Sequence, residues 1–186
     1  MATKYEYYDT GDNLSVDLYA QYYGAQVYTP QIAHSINYVV LKCAKTASHT
    51  GSLFIQIRSV SGSLPTSTVL ASGSVTINSL TTEPTRSWKQ INLAIPVAQV
   101  AGTKYALVAY SNGSSANHPI WRVISVTGTY ANGYWCWSTD YGVSWEALPA
   151  GRDAMFEEWG DPLVVVKNNY SGGFANAKRL TRMRGW

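Results

Sequence analysis

The sequence is poor in charged residues, cysteines and long hydrophobic runs, and each shortage excludes a class of protein. Charged residues make up only 13% of the 186 residues, which argues against a helical or disordered chain. The two cysteines lack the CxxC or Cys/His spacing of zinc and redox sites, so we expect buried thiols, although a Cys43–Cys136 disulfide stays open. No run of 18 or more apolar residues is present, so the sequence predicts no membrane span. The N-terminus has no apolar signal-peptide core, and we do not expect Sec-type export.

The sequence also lacks the motifs of common catalytic sites. Its three histidines show no HxH or HExxH spacing, no GxSxG nucleophile motif occurs, and no DxDxDG-type loop marks a calcium site. Carboxylate pairs for glycoside hydrolysis cannot be recognised from spacing alone. The candidates are more simply explained as solvated surface groups: Asp140, Glu146, Asp153, Glu157 and Glu158. We therefore predict no catalytic residue, no metal and no cofactor, and a protein that is not an enzyme.

Tyrosine and tryptophan are abundant, with 14 and 7 copies, and short β-type segments run through the chain. Residues 51–60 alternate, with Leu53, Ile55 and Ile57 on one face, as expected for a strand with one buried side. Similar segments recur about every ten residues, which is typical of an antiparallel sandwich. They are 35–45, 51–60, 69–77, 88–95, 102–110, 120–126, 134–138 and 154–159. The length fits one all-β domain.

The two ends differ in charge from this body. Residues 1–24 carry Lys4 against four acidic residues, whereas residues 162–186 carry five basic residues and no acidic one. Neither end has clear strand or helix periodicity, and the second contains Pro162 and a Ser-Gly-Gly break. The sequence thus predicts an acidic, tyrosine-rich N-terminal arm (1–24), a folded body (25–161) and a basic C-terminal tail (162–186).

Five segments of the body carry turn-and-strand signatures. They are AQVYTP (25–30), GSLFIQIRS (51–59), SLPTSTVLASGSV (63–75), VAGTKYALVAYS (100–111) and STDYGVSW (138–145). Together they resemble a jelly-roll module of virion and surface-exposed proteins that is related in architecture to carbohydrate-binding modules. The resemblance covers about residues 20–160 and implies an antiparallel jelly-roll β-sandwich, to which the arms would be attached. It implies little about the ligand, because fold does not determine function.

The last of these segments fits the pattern Ser-x-Asp-x-Gly-x-x-Trp and resembles the Asp box of sialidases. In that motif the aspartate caps backbone N–H groups of a tight turn, the glycine adopts a backbone conformation that other residues resist, and the tryptophan packs beneath. The pattern occurs once, and the body lacks the arginine cluster that a sialidase needs for its substrate carboxylate. We therefore interpret the motif as a structural hairpin, formed by Ser138, Asp140, Gly142 and Trp145.

A cluster of aromatic residues is the strongest candidate for a binding site. Its members are Trp121, Tyr130, Tyr134, Trp135, Trp137, Tyr141 and Trp145. Their rings can stack on sugars or anchor a protein interface, and they can equally form core and hairpin packing. Alternation puts Trp135 and Trp137 on one strand face and Tyr134 and Cys136 on the other. The predicted ligand- or partner-binding residues are Trp121, Tyr134, Trp135 and Trp137.

The C-terminal tail interleaves basic and large apolar side chains, at Phe174, Lys178, Arg179, Arg182, Arg184 and Trp186. Such a segment can bind nucleic acid, lie on a membrane or remain disordered. Because the N-terminal arm is acidic, we prefer docking of the tail onto a neighbouring copy, and we do not expect nucleic-acid binding.

These observations lead to the hypothesis of a virion structural protein from a virus of bacteria or archaea. It would be a capsid decoration, minor capsid or tail accessory protein that assembles through its arms, with itself and with a major capsid or tail protein. The jelly roll would face outward on a virion assembled in the host cytoplasm, and adhesion to host glycans is open as a second role. The alternative is a carbohydrate-binding module of a secreted or surface protein.

Overall fold

The structure is a computed structural model that describes residues 1–148 and 151–163 of the chain. These residues form β-strands joined by turns, with a single turn of 3-10 helix at Ile77–Ser79. The strands are β1 (Thr3–Tyr8), β2 (Leu14–Asp17), β3 (Tyr23–Tyr28), β4 (His34–Lys45), β5 (Ser52–Ser61), β6 (Leu64–Thr76), β7 (Ser87–Gln99), β8 (Tyr105–Ser111), β9 (Pro119–Ile124), β10 (Tyr134–Ser138), β11 (Glu146–Ala147), β12 (Asp153–Ala154) and β13 (Phe156–Pro162).

The strands form two antiparallel sheets that pack together. The first sheet has the order β1-β13-β4-β9-β12, with β2 pairing with β9 and β7 pairing with β4. The second sheet has the order β11-β10-β3-β8-β5-β6. The predicted all-β, antiparallel two-sheet class is confirmed, and the predicted strands of the body match β4 to β10 and β13 closely.

The main hydrophobic core lies between the sheets. Alternation along β5 places Leu53, Ile55 and Ile57 in it with 1% exposure or less, as the sequence predicts. The Trp121 and Trp135 rings meet edge to face inside this core, with centroids 5.3 Å apart. Such burial of apolar area is the main force that holds the sheets together.

A second, smaller hydrophobic cluster lies on the outer face of the second sheet. Its fully buried members are Ala25, Val27, Ala106, Val108 and Cys136. The pairing of β5 and β6 is irregular next to Arg58, and the tip of this hairpin reaches β10, where the Tyr134 hydroxyl donates to the Ser63 carbonyl over 2.9 Å. Trp145 also packs against the cluster. The chain therefore covers this part of the sheet with its own turns.

Residues 1–24 belong to the body and do not form the expected extended arm. β1 pairs with β13, β2 pairs with β9, and Leu18 is fully buried. One of the acidic residues that suggested an arm finds two basic partners in the first sheet: Asp12 lies 3.1 Å from Lys42 and 3.2 Å from Arg122. Burial alone would raise the pKa of Asp12, but hydrogen bonds from Lys42 and Arg122 outweigh it and hold that pKa below its usual value.

The predicted basic tail lies outside the described residues from residue 164 onward. This applies to every predicted assembly residue: Phe174, Lys178, Arg179, Arg182, Arg184 and Trp186. Within the described residues, no helix is long and apolar enough to cross a membrane.

The two cysteines are free thiols buried in different parts of the fold. Cys43 lies in the first sheet and Cys136 in the second, so the disulfide that the sequence left open is not formed. Burial raises the pKa of each thiol to about 12. Both therefore stay protonated at neutral pH and act as small apolar side chains.

Candidate functional site

A pocket of about 340 Å³ opens where β2 of the first sheet faces β10 of the second. We call it the β2–β10 pocket. Its lining residues are Ser15, Val16, Asp17, Tyr19, Tyr22, Trp135, Trp137, Leu148 and Arg152. The volume falls at the lower end of the range for ligand sites, about 300 to 1,000 Å³. The pocket therefore suits a ligand of one or two small rings.

Stacked aromatic rings form one wall of the pocket. The Tyr22 and Trp137 rings lie with centroids 5.7 Å apart and planes 16° apart, and Tyr19 meets Tyr22 edge-on at 5.0 Å. The Tyr19 ring also contacts His118, with centroids 4.9 Å apart. These contacts hold the half-buried Trp137 in one orientation before any ligand arrives, which lowers the entropic cost of binding.

Gly24 of β3 leaves space for the tryptophan side chains of β10. Gly24 pairs with Trp137 in the sheet register, and a methyl group at Gly24 would overlap the Trp135 ring. Because Gly24 has no side chain, the Trp135 ring can pack directly against β3, and Trp137 lines the pocket.

The rim of the pocket carries groups of both charges. Asp17 is exposed, and its carboxylate lies 3.2 Å from Nε2 of His118. Arg152 is half-buried and makes no ion pair with any other described residue. The Ser15 hydroxyl accepts a hydrogen bond from Arg122. The rim therefore presents a carboxylate acceptor and a guanidinium donor beside the aromatic wall.

A buried hydrogen-bond donor belongs to the same pocket. The Trp135 side chain is fully buried, and its indole N–H has no hydrogen-bond partner within the described part of the chain. Buried indole N–H groups normally find an acceptor, and an unsatisfied one costs about 1 to 3 kcal/mol. Trp135 lines the pocket, but its side chain is closed to solvent, so we assign its N–H no bond to a ligand.

The structure separates the four aromatic residues that the sequence singled out. Trp135 and Trp137 share the inner face of β10 and line the pocket. Trp121 is fully buried, and its indole N–H donates to the Met155 carbonyl over 3.0 Å, so it cannot contact a ligand. Tyr134 lies on the opposite face of β10, where the Lys104 ammonium is 5.4 Å from its ring centroid.

Several pocket residues escaped the sequence analysis because they lie in the assumed N-terminal arm. These are Ser15, Asp17, Tyr19 and Tyr22, which join Arg152 at the pocket. A signal was present: Leu14, Val16 and Leu18 alternate with polar residues, which is the pattern of a half-buried strand. The strand is only four residues long, and the acidic residues around it led to the interpretation of this segment as an arm.

The Asp-box segment forms a closed turn beside the outer cluster. The Asp140 carboxylate accepts hydrogen bonds from the Ser144 N–H at 2.9 Å and from the Ser138 and Ser144 hydroxyls at 2.8 and 2.6 Å. The Ser144 and Ser138 hydrogen bonds lower the pKa of Asp140 to about 2. Gly142 has a φ of +75°. The Asp140 carboxylate is thus engaged by Ser138 and Ser144 of its own turn.

Arginine links this turn to the second sheet. The Arg58 guanidinium donates to the Gly142 carbonyl at 3.3 Å and lies 5.9 Å from the Trp145 ring centroid. Arg58 is 8% exposed, so it holds the turn in place and is not available to a substrate carboxylate.

The remaining carboxylates of the acid/base search are mostly engaged within the fold. Glu158 is buried and lies 3.0 Å from Nε2 of His34, which is also fully buried. Glu157 is bonded to Lys4 at 3.3 Å, and Asp153 accepts from Gln26 at 3.1 Å. Only Glu146 lies exposed among those candidates that the structure describes. No pair of them faces a shared pocket.

His34 and Glu158 form a buried pair between β4 and β13, with Nε2 and Oε1 3.0 Å apart. The Nδ1–H of His34 donates to the Ile32 carbonyl over 2.7 Å. Burial raises the pKa of Glu158. Burial alone would lower the pKa of His34, but the hydrogen bond and charge of Glu158 raise it above its usual value.

Comparison with known protein families and curated proteins gives no match. No protein-family model matches the chain, and no curated protein matches it significantly. Within the described residues, no group of three or more His, Cys, Asp or Glu side chains is placed to hold a metal ion.

Proposed function

We propose that the protein is a carbohydrate-binding β-sandwich that holds a sugar ring in the β2–β10 pocket. The observation that carries this proposal is the combination of a stacked Tyr22–Trp137 wall with hydrogen-bonding groups at the rim. A pyranose has an apolar C–H face that stacks on an aromatic ring and hydroxyls around its edge. The pocket offers partners for both parts of such a ligand.

The groups of the pocket have separate roles in this proposal. Trp137 supplies the stacking surface, and Tyr22 holds it in place from behind. Asp17 accepts hydrogen bonds from sugar hydroxyls, and Arg152 donates to them. Trp135 backs the pocket from the core, where its side chain is fully buried. Binding without turnover is proposed, since no pair of carboxylates faces the pocket.

A glycan array followed by calorimetry tests this proposal. The full chain is expected to bind at least one glycan class, and Trp137→Ala is expected to weaken that binding by about fivefold or more, since loss of one stacking partner removes about 1 to 3 kcal/mol. Trp88→Ala is the matched control, because Trp88 is an exposed tryptophan of β7 that does not line the pocket. Equal affinities of Trp137→Ala and the unchanged chain would contradict the proposal.

The wider hypothesis, a virion structural protein with a jelly-roll sandwich, stays a prediction. It is compatible with glycan binding, because a surface protein of a virion can attach to host sugars. Assembly through an N-terminal arm is no longer part of it, since β1 and β2 are built into the first sheet. Assembly now depends on the basic tail alone.

Light scattering at low and high salt tests the role of the tail. The full chain is compared with a chain stopped after Leu163, which retains all of β13. If the tail drives assembly, the full chain forms an oligomer that dissociates as salt screens its charges, and the shortened chain is a monomer. Two monomers of the same fold would remove the support for self-assembly.

A further inference from the structure

Three aromatic rings stand in a row across the outer face of the second sheet. They belong to neighbouring strands: Tyr23 to β3, Tyr110 to β8 and Phe54 to β5. The Tyr23 and Tyr110 rings are 4.4 Å apart and inclined by 6°, and the Tyr110 and Phe54 rings are 5.2 Å apart and inclined by 18°. The three rings thus stack face to face across the strands, so that Tyr110 covers one face of Tyr23 and one face of Phe54.

The row stops at Phe54, where the next strand carries no large side chain. In the register of β5 and β6, Phe54 lies opposite Ser74 and Gln56 lies opposite Ser72. Beyond Phe54 a cavity of about 480 Å³ remains, bounded on its far side by Asn92 and Ala94 of β7. One flat ring face therefore borders an open cavity where a fourth ring would continue the row.

β7 of the first sheet packs against the inner face of β6 beside this cavity. A methyl group at Gly73 would overlap the Asn92 carbonyl oxygen and approach Ile55 of the core, so the two strands meet here at backbone distance. Replacement of Gly73 would therefore displace β7. This contact holds β6 in place, while Ser72 and Ser74 lie on its other face, toward Phe54.

The polar groups around this cavity are all uncharged. Ser72, Ser74 and Asn92 are exposed, and the Gln56 amide donates to the Tyr110 hydroxyl over 3.3 Å. The Asn92 side-chain oxygen accepts from Gln90 at 2.7 Å, which orients its amide. Hydroxyls and amides can donate to and accept from sugar hydroxyls, whereas they offer a charged ligand no opposite charge.

We infer that this cavity is a second sugar-binding site, which takes a neutral hexose ring stacked on the open face of Phe54. The ring continues the Tyr23–Tyr110–Phe54 row, and its hydroxyls bond to Ser72 and Ser74. The site lies at the β5–β6 edge of the second sheet, whereas the β2–β10 pocket lies toward the other edge. The two sites share no residue, so each can exist without the other.

An NMR titration of the full chain tests this site. The probes are the methyl glycosides of glucose, galactose, mannose and N-acetylglucosamine, each up to about 50 mM, well above a millimolar Kd. At least one probe is expected to shift the backbone amide signals of Ser72, Gly73, Ser74 and Asn92. If none of the four shifts these signals, the inference is overturned.

Two substitutions in the second site and one in the first make the test specific. Phe54→Leu keeps an apolar side chain but removes the flat ring, and Ser74→Trp fills the cavity from an exposed position. Phe54→Leu is expected to weaken the response at these amides by about two- to tenfold. Ser74→Trp, which occupies the cavity, is expected to weaken it at least as much, and it keeps the test open if Phe54→Leu fails to fold. Persistence of the response in a folded Ser74→Trp variant would overturn the inference.

Trp137→Ala separates this inference from the function proposed above. The variant is expected to leave the response of Ser72, Gly73, Ser74 and Asn92 unchanged. If the response disappears in Trp137→Ala, the signals report the β2–β10 pocket, and the second site is rejected. If only the Phe54 and Ser74 variants fail to show their effect, the proposal for the β2–β10 pocket still stands.

Discussion

Side chains on the same strand face can occupy different environments in this protein, one in the core and the next in the wall of the pocket. Trp135 and Trp137 both point inward from β10, as alternation predicts. Trp135 is fully buried against Trp121, whereas Trp137 is half-buried against Tyr22. The same residue type thus forms core at one position and a pocket wall two positions later.

Substitution of the two tryptophans should separate these roles. We expect Trp135→Ala to lower the free energy of unfolding by about 3 to 5 kcal/mol, because it leaves a large cavity in the core. Trp137→Ala should cost clearly less, since its side chain is half-exposed, and should chiefly weaken glycan binding. Urea denaturation measures both, with Trp88→Ala as the control. Equal losses of stability for Trp135→Ala and Trp137→Ala would contradict the division.

The buried His34–Glu158 pair should make stability depend on pH. Both groups hold a proton more tightly in the folded than in the unfolded chain, so folding takes up protons. The stabilisation from His34 is complete below the unfolded histidine pKa of about 6.5 and is lost as pH rises through the higher folded pKa. The stabilisation from Glu158 is complete below about 4.3 and likewise falls as pH rises.

Denaturation in urea between pH 5.5 and 8 checks this dependence. The free energy of unfolding should fall with rising pH in the unchanged chain. Glu158→Gln keeps the shape of the side chain and removes its charge, so the fall should be smaller in this variant. The same slope in both chains would show that the pair does not control it.

At the scale of elements, the terminal strands decide the architecture of the candidate site. β2 is only four residues long, yet it supplies Ser15, Val16 and Asp17 to the pocket and pairs with β9. β1 covers the edge of β13. The β2–β10 pocket therefore exists only because the N-terminal segment folds back onto the first sheet.

Leu18 gives a direct test of this integration. Its side chain is fully buried, and Leu18→Ala should lower the free energy of unfolding by about 2 to 5 kcal/mol. A leucine in an extended arm would tolerate the change within about 0.5 kcal/mol. Thermal or urea unfolding distinguishes the two values, and Ile32→Ala, at an exposed position in a loop, is the matched control.

At the scale of the whole molecule, the sequence predicted local structure well and long-range pairing poorly. Alternation located the body strands β4 to β10, because a half-buried strand leaves a period of two in its own residues. Neither the order of strands nor the pairing of β2 with β9 leaves such a mark. The site combines five residues between Ser15 and Tyr22 with Trp135, Trp137, Leu148 and Arg152, so only its tryptophans could be identified before the sheets were known.

The β2–β10 pocket is central to the proposed function. The indole N–H signals of Trp135 and Trp137, which line the pocket, detect binding there most directly. A proton–nitrogen NMR spectrum of the full chain, recorded during titration with a glycan selected on the array, resolves the indole signals of the seven tryptophans. If the glycan binds in this pocket, the Trp135 and Trp137 signals shift with a common Kd, while those of Trp88 and Trp121 stay fixed. Binding of the glycan without any shift of Trp135 or Trp137 would contradict the proposed function.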